Sequence, residues 1–109
     1  MPAVARKDGT DTVDTIHGAT GGNKCNASPT TTATDGGSDN VFVNEIGVVR
    51  EGDAVSAHNN GTACSTHTPG LASFSANVYA NGLKIGRMDD TYGCGAKITS
   101  GSSNVFANS

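Results

Sequence analysis

The stretch Ser38–Asp53, SDNVFVNEIGVVREGD, is made again without a gap at Ser75–Asp90, SANVYANGLKIGRMDD. Both copies open Asn-Val-aromatic-small-Asn, carry an apolar pair mid-way, and close on an Arg followed by an acidic end. A third opening, SSNVFANS at Ser102–Ser109, stands at the C-terminal end of the sequence. Its second half stands at the other end, where MPAVARKD supplies apolar residues, Arg6 and the acid Asp8. Ser103–Ser109 joined to Met1–Asp8 completes a third copy. Internal self-similarity decides architecture before any residue-level reading. Three copies, one split between the ends, imply a ring about a pseudo-threefold axis rather than an open row.

Within that frame Met1–Asp8 reads as an edge strand with Pro2 near its start. Val41–Asn44 and Gly47–Arg50 read as two short strands joined at Glu45-Ile46, and Asn81-Gly82 is the matching hairpin turn of the second copy. Gly9–Asp39, Ala54–Gly70 and Thr91–Gly101 read as loops, Leu71–Phe74 leads into the second copy, and Asn104–Ala107 closes the chain. No segment keeps a helical period, and 15 Gly with many β-branched residues argue against one. The expected fold is all-β: short hairpins in pseudo-threefold repeats with long polar loops, in a single domain spanning 1–109. Alternation puts Phe42, Tyr79 and Phe106 on one face and Val41/Val43, Val78/Ala80 and Val105/Ala107 on the other. One set fills the core; alternation alone does not say which.

The core is small. Leu, Ile, Val and Phe number 18 of 109 residues and there is no Trp, which is disorder-prone territory for those types. The net charge is only −3, whereas disordered chains combine low hydrophobicity with high charge. A chain of this kind needs a metal, disulfides or a partner to hold it. Seven Lys and Arg stand scattered against ten acids, so nucleic-acid binding is not expected. No apolar run reaches membrane-spanning length and no signal peptide opens the sequence. The expected location is cytoplasmic, or outside by way of a delivery machine.

The histidines and cysteines keep the register of the repeats. His58 follows Asp53 by five residues, Cys94 follows Asp90 by four, and His17 follows Asp8 by nine. Each copy thus delivers one ligand-type side chain beyond its acidic end, and on a ring such loops converge. His67, in the loop before the second copy, is a fourth candidate. Three imidazoles and a thiolate form a closed tetrahedral set of the structural zinc type. Cys64, three residues before His67, has ligand-like spacing and competes for one position. Cys25 and Cys64 would alternatively pair as a disulfide in an oxidising setting. Asp53, Asp89 and Asp90 are candidate bases for a small zinc enzyme, but acids at the end of a β-repeat are commonly turn residues. No nucleophile elbow, phosphate loop or His-Glu-x-x-His pair is present. A zinc enzyme and a disulfide-stapled extracellular binding module are the alternative functions; the expectation is a non-enzymatic protein.

Pro2-Ala3-Val4-Ala5-Arg6, the NVFVN, NVYAN and NVFAN openings, the Arg-x-Gly-Asp ending at Arg50–Asp53, and His17-Gly18 together resemble the PAAR-repeat family, over essentially the whole chain. The resemblance implies a small pointed β-rich cone, monomeric by itself. Its base would cap the trimeric β-helical spike of a contractile injection machine, a phage tail baseplate or a type VI secretion system, one tip per trimer. Its point would pierce the target cell envelope in a transient contact. The resemblance also implies a metal, zinc in preference to iron, held by His17, His58, His67 and Cys94. Lys84-Ile85-Gly86-Arg87 and Met88-Asp89-Asp90 depart from the family's usual Pro-Ala-Ala-Arg and Gly-Asp.

Overall fold

A computed structural model describes residues 2–14, 31–56, 58–59, 66–93 and 95–107, with the backbone alone described at 58–59 and 66–67. Among these residues there is no helix. Nine short strands occur: β1 (Thr12–Asp14), β2 (Thr31–Ala33), β3 (Phe42–Val43), β4 (Ile46–Gly47), β5 (His58–Asn59), β6 (Thr66–His67), β7 (Tyr79–Ala80), β8 (Leu83–Lys84) and β9 (Lys97–Ile98). They form a sheet in the order β2-β1-β9 and three two-stranded hairpins, β3–β4, β5–β6 and β7–β8. The body is elongated, 39 × 23 × 22 Å. Nearly equal short extents are what threefold repetition about the long axis produces.

The repeats decide this geometry. Phe42 pairs with Gly47 and Tyr79 with Lys84. The third pairing is Ala3 with Phe106, across the two ends of the chain. The split copy is therefore closed by backbone pairing. Around the axis three equivalent residues bond in a cycle: Ala5 N–H to Gly86 O at 3.0 Å, Gly86 N–H to Val49 O at 2.7 Å, and Val49 N–H to Ala5 O at 3.1 Å. Each copy thereby satisfies one backbone donor of the next, as buried peptide groups require.

Equivalent residues stack along this axis in layers. Val4, Val48 and Ile85 form one and Ala5, Val49 and Gly86 the next; beyond them Val13, Val55 and Tyr92 pair directly with Ile98, Thr34 and Leu71 respectively. All of them are buried. Gly86 belongs here because a Cβ at this position would lie 2.7 Å from Leu71 Cδ2 and 3.2 Å from Val49 Cγ1. The few apolar residues are thus concentrated on one line, which is how so thin a composition builds a core.

Several expectations need correction. The β3–β4 turn is Asn44-Glu45, both at positive φ (54° and 68°), and Ile46 lies inside β4. Asn81 and Gly82 make the same turn at 55° and 77°. Both pairs have the positive φ values that a two-residue type I′ hairpin demands. The three expected loops contain strands, β1 and β2 in the first, β5 and β6 in the second and β9 in the third. These pieces are only two or three residues long and rich in Thr, Asn and Lys. Pairing with distant segments makes them strands, not any local alternation.

The closing acid of the split copy is Asp11, not Asp8. Asp8 (φ 60°) and Gly9 (φ 77°) form a turn closed by Thr10 N–H donating to Lys7 O at 3.2 Å. This inserts two residues relative to the other copies. There the turns Arg50–Asp53 and Arg87–Asp90 close directly, with Gly52 (φ 81°) and Asp89 (φ 77°) at the third position.

Candidate functional site

Each copy ends in the same ionic clamp. The Arg6 N–H and Nε donate to Asp11 Oδ2 at 2.6 and 3.1 Å, and Nη2 donates to Oδ1 at 2.8 Å. Arg50 holds Asp53 by the same three bonds at 2.8, 2.9 and 3.1 Å, and Arg87 holds Asp90 at 2.8, 2.9 and 3.0 Å. The guanidinium fork matches a carboxylate in two places at once. The hydrogen bonds to their aspartates, ahead of Coulomb attraction and against desolvation, hold Arg6 and Arg50 more firmly protonated than usual. Asp53 and Asp90 are therefore structural turn acids, as expected of acids closing a β-repeat.

Two further networks were missed in the sequence, although the repeated Ser-x-Asn-Val carried the signal. Ser38, Ser75 and Ser102 are buried. Ser38 Oγ accepts the N–H groups of Asn40 and Val41 at 3.2 and 2.9 Å, Ser75 those of Asn77 and Val78 at 3.3 and 3.1 Å, and Ser102 those of Asn104 and Val105 at 3.2 and 2.9 Å. These short hydroxyl turns start each hairpin. The asparagines link copy to copy. Asn81 Nδ2 donates to Asn40 Oδ1 at 2.7 Å, and Asn44 Nδ2 to Asn104 Oδ1 at 2.9 Å. Arg50 Nη1 reaches Asn81 and Arg6 Nη1 reaches Asn44, at 3.1 and 3.2 Å. The hairpin end is thereby locked as one unit.

On that end the structure resolves which face is which. Val4, Val48, Ala80, Ile85 and Ala107 form a buried cluster, with Val43, Val78 and Val105 packed against it. The rings point away, with Phe42 58%, Tyr79 55% and Phe106 51% exposed. Three equivalent aromatic side chains thus stand in water, one on each copy.

Two of the candidate metal ligands, His58 and His67, fall on described backbone. In the β5–β6 hairpin the backbone register pairs His58 directly with His67, and directly opposed residues are as close as neighbouring strands allow. Val55, leading into β5, bridges Thr34 at the end of β2. β2 pairs with β1 and β1 with β9, bringing Asp14 opposite both Thr31 and Lys97. His17 comes three residues after Asp14, and Cys94 three before Lys97. His17 and Cys94 lie outside the described residues, as do Cys25 and Cys64. The described strands therefore bring one ligand pair together and align the segments adjoining the other. The donor chemistry, imidazole nitrogens with a thiolate, suits a tetrahedral divalent metal.

Tyr92 lies in the core, 1% exposed, and its hydroxyl has no hydrogen-bond partner among the described residues. Burial, with Asp53, Asp11 and Asp35 nearby, pushes its ionisation well above the usual tyrosine range.

The comparisons agree with this architecture. The family model for the PAAR motif matches residues 21–100, and the chain belongs to that family. Both halves of the split copy fall outside the matched span. Two relatives from Pseudomonas aeruginosa, the "NAD(P)(+) glycohydrolase toxin Tse6" of strain PAO1 and the "(p)ppApp synthetase toxin Tas1" of strain UCBPP-PA14, are each 39% identical over 82 residues. The match takes in 72% of this chain but 19% of each relative. The activities in those names belong to those proteins.

Proposed function

We propose that residues 1–109 form a single spike-tip domain that caps a trimeric β-helical spike in a contractile injection machine of the type VI secretion kind. The observation that carries this is the triad of exposed rings Phe42, Tyr79 and Phe106 at equivalent positions of three repeats. One chain with pseudo-threefold symmetry meets all three chains of a true trimer at once and covers strand edges that would otherwise invite pairing. The other end holds zinc, or iron, through His17, His58, His67 and Cys94. A structural zinc in a small domain contributes on the order of 10 kcal/mol to folding, which suits a chain with so little apolar content. The role is structural, not enzymatic: a rigid monomeric point carried at the end of the apparatus and driven transiently through the target envelope. Membership of the PAAR motif family and the relatives named as toxins support the type VI setting over a phage baseplate.

Metal analysis and spike binding test both halves. One zinc or iron per chain is expected, lost in His58→Ala and Cys94→Ala together with a far lower melting temperature. Purified trimeric spikes are expected to bind one tip per trimer, and Phe42→Ala with Phe106→Ala to abolish binding without loss of metal. A metal-free, folded wild type would overturn the ligand set. Binding indifferent to the ring substitutions would overturn the docking face.

A further inference from the structure

The three copies make one set of backbone bonds, but only two of them are closed by a turn. Val48 N–H donates to Val41 O at 3.0 Å and Ser38 N–H to Val48 O at 2.8 Å. In the second copy Ile85 N–H donates to Val78 O at 3.0 Å and Ser75 N–H to Ile85 O at 2.9 Å. In the split copy Val4 N–H donates to Val105 O at 3.0 Å and Ser102 N–H to Val4 O at 2.9 Å. Asn44-Glu45 and Asn81-Gly82 turn the first two back on themselves. No turn joins Ala107 to Pro2, although Ala107 N–H donates to Pro2 O at 3.0 Å, because most of the chain lies between them. Pairing and packing alone therefore hold the far end of Ser102–Ala107. Its inward side chains are Ser102 and Ala107, both buried, and Val105, which packs against the cluster of Val4, Val48, Ala80 and Ile85. Asn44 Nδ2 adds a bond to Asn104 Oδ1 at 2.9 Å. The near end is tethered through Gly101, where a Cβ would lie 2.9 Å from that of Ala3.

We infer that the groove beneath this segment is a strand-binding site for a second copy of this chain, filled by mutual exchange of Ser102–Ala107. Three observations select this occupant. First, the groove takes a segment of the form Ser-x-Asn-Val-aromatic-small, which this chain carries at Ser38–Val43, Ser75–Ala80 and Ser102–Ala107. Second, of these only Ser102–Ala107 is not tied by a turn to the strand it pairs with, so it alone leaves without breaking a hairpin. Third, the same atoms meet in the exchanged pair as in the single chain, which makes exchange of an identical element a low-cost route to a dimer. What sets the balance is the tether. A short flexible tether holds its segment at an effective concentration in the millimolar range, so a second copy competes at about 1 mM. A chain with this strand drawn out also lacks Phe106 at its place beside Ala3. The inference stands apart from the spike and metal readings and uses neither.

The threefold plan supplies the controls. Hydrogen exchange of the full chain reads the opening, since locally cooperative units open separately. Protection at the Val4 and Ser102 amides is expected to be about tenfold lower than at their counterparts Val48, Ile85, Ser38 and Ser75, which a two-residue turn keeps in place. Asn104→Ala is expected to lower it further and to leave the counterparts unchanged. Two preparations of different isotopic mass, mixed at about 1 mM and warmed short of the melting transition, are expected to yield mixed dimers. A labelled peptide of Gly101–Ala107 is expected to bind the full chain, and its Val105→Asp form is not. Protection equal at all three copies to within about twofold would overturn the inference, because the strand then does not open. Opening without mixed dimers, or equal uptake of both peptides, would overturn the groove as a site for this segment of a second copy.

Discussion

The three arginine–aspartate clamps form a mutational series with a built-in control, because one interaction occurs in three settings. Asp11 is fully buried, with its arginine 17% exposed, and it also accepts Ser100 Oγ at 2.9 Å. Asp90 is 7% exposed and accepts Ser73 Oγ at 3.1 Å. Asp53 is 15% exposed, and Gly36 stands where the other two copies have their serine. Removing one partner of a buried pair strands the other, at a cost of about 3–5 kcal/mol. Asp11→Ala leaves the Arg6 backbone N–H, its guanidinium and the Ser100 hydroxyl without their acceptor, so it belongs at the upper end. Asp90→Ala should cost about 3 kcal/mol, and Asp53→Ala about 2, because water reaches its site and no hydroxyl is orphaned. Against a total of about 5–15 kcal/mol for a domain of this size, Asp11→Ala is close to unfolding. Asp11→Asn, which keeps shape and one acceptor, serves as its milder form. Urea unfolding at neutral pH, with every variant in the same metal state, gives the order. Equal costs at all three positions, or Asp53→Ala costing most, would refute the claim that burial and the serine set the clamp energies.

Three further substitutions test the turns and the axis. Glu45→Gly should stabilise by about 0.5–1 kcal/mol, since Glu45 sits at φ 68° where its counterpart is Gly82 at 77°; an unchanged urea midpoint would count against strain in that turn. Gly86→Ala should cost about 1–3 kcal/mol by overpacking the axis. Adding Val49→Ala should recover part of that, because the new Cβ lies against Val49 as well as Leu71; strictly additive losses would mean the two do not share a space. Tyr92→Phe removes a buried hydroxyl that has no partner among the described residues and should leave stability unchanged or raise it by up to about 1 kcal/mol. A loss of that size instead would show the hydroxyl bonded.

What could be read from the sequence was what repeats. Three copies, the closure across the ends, and the shared orientation of Phe42, Tyr79 and Phe106 follow from spacing alone, and backbone pairing realises each of them. Which face is buried did not follow, because both faces of a Val-Phe-Val strand are apolar. The axis decides it: small aliphatic side chains pack in threes around a line, and three phenyl rings do not. Asp11 was hidden by Asp8, which occupies the expected position but is used to turn the chain. β5 and β6 gave no sign of themselves, since a two-residue strand has no period to detect. Yet β5–β6 is the element that sets His58 against His67, two residues that reach the same place from opposite sides of a loop. The apolar repeats and the polar ligand loops are thus legible for different reasons. A hydrophobic pattern reports the axis it is buried along, whereas a ligand set assembled from distant loops is visible only through its register with that axis. Register alone grouped the four candidates, and among the described residues the pairing of β5 with β6 sets two of them opposite each other.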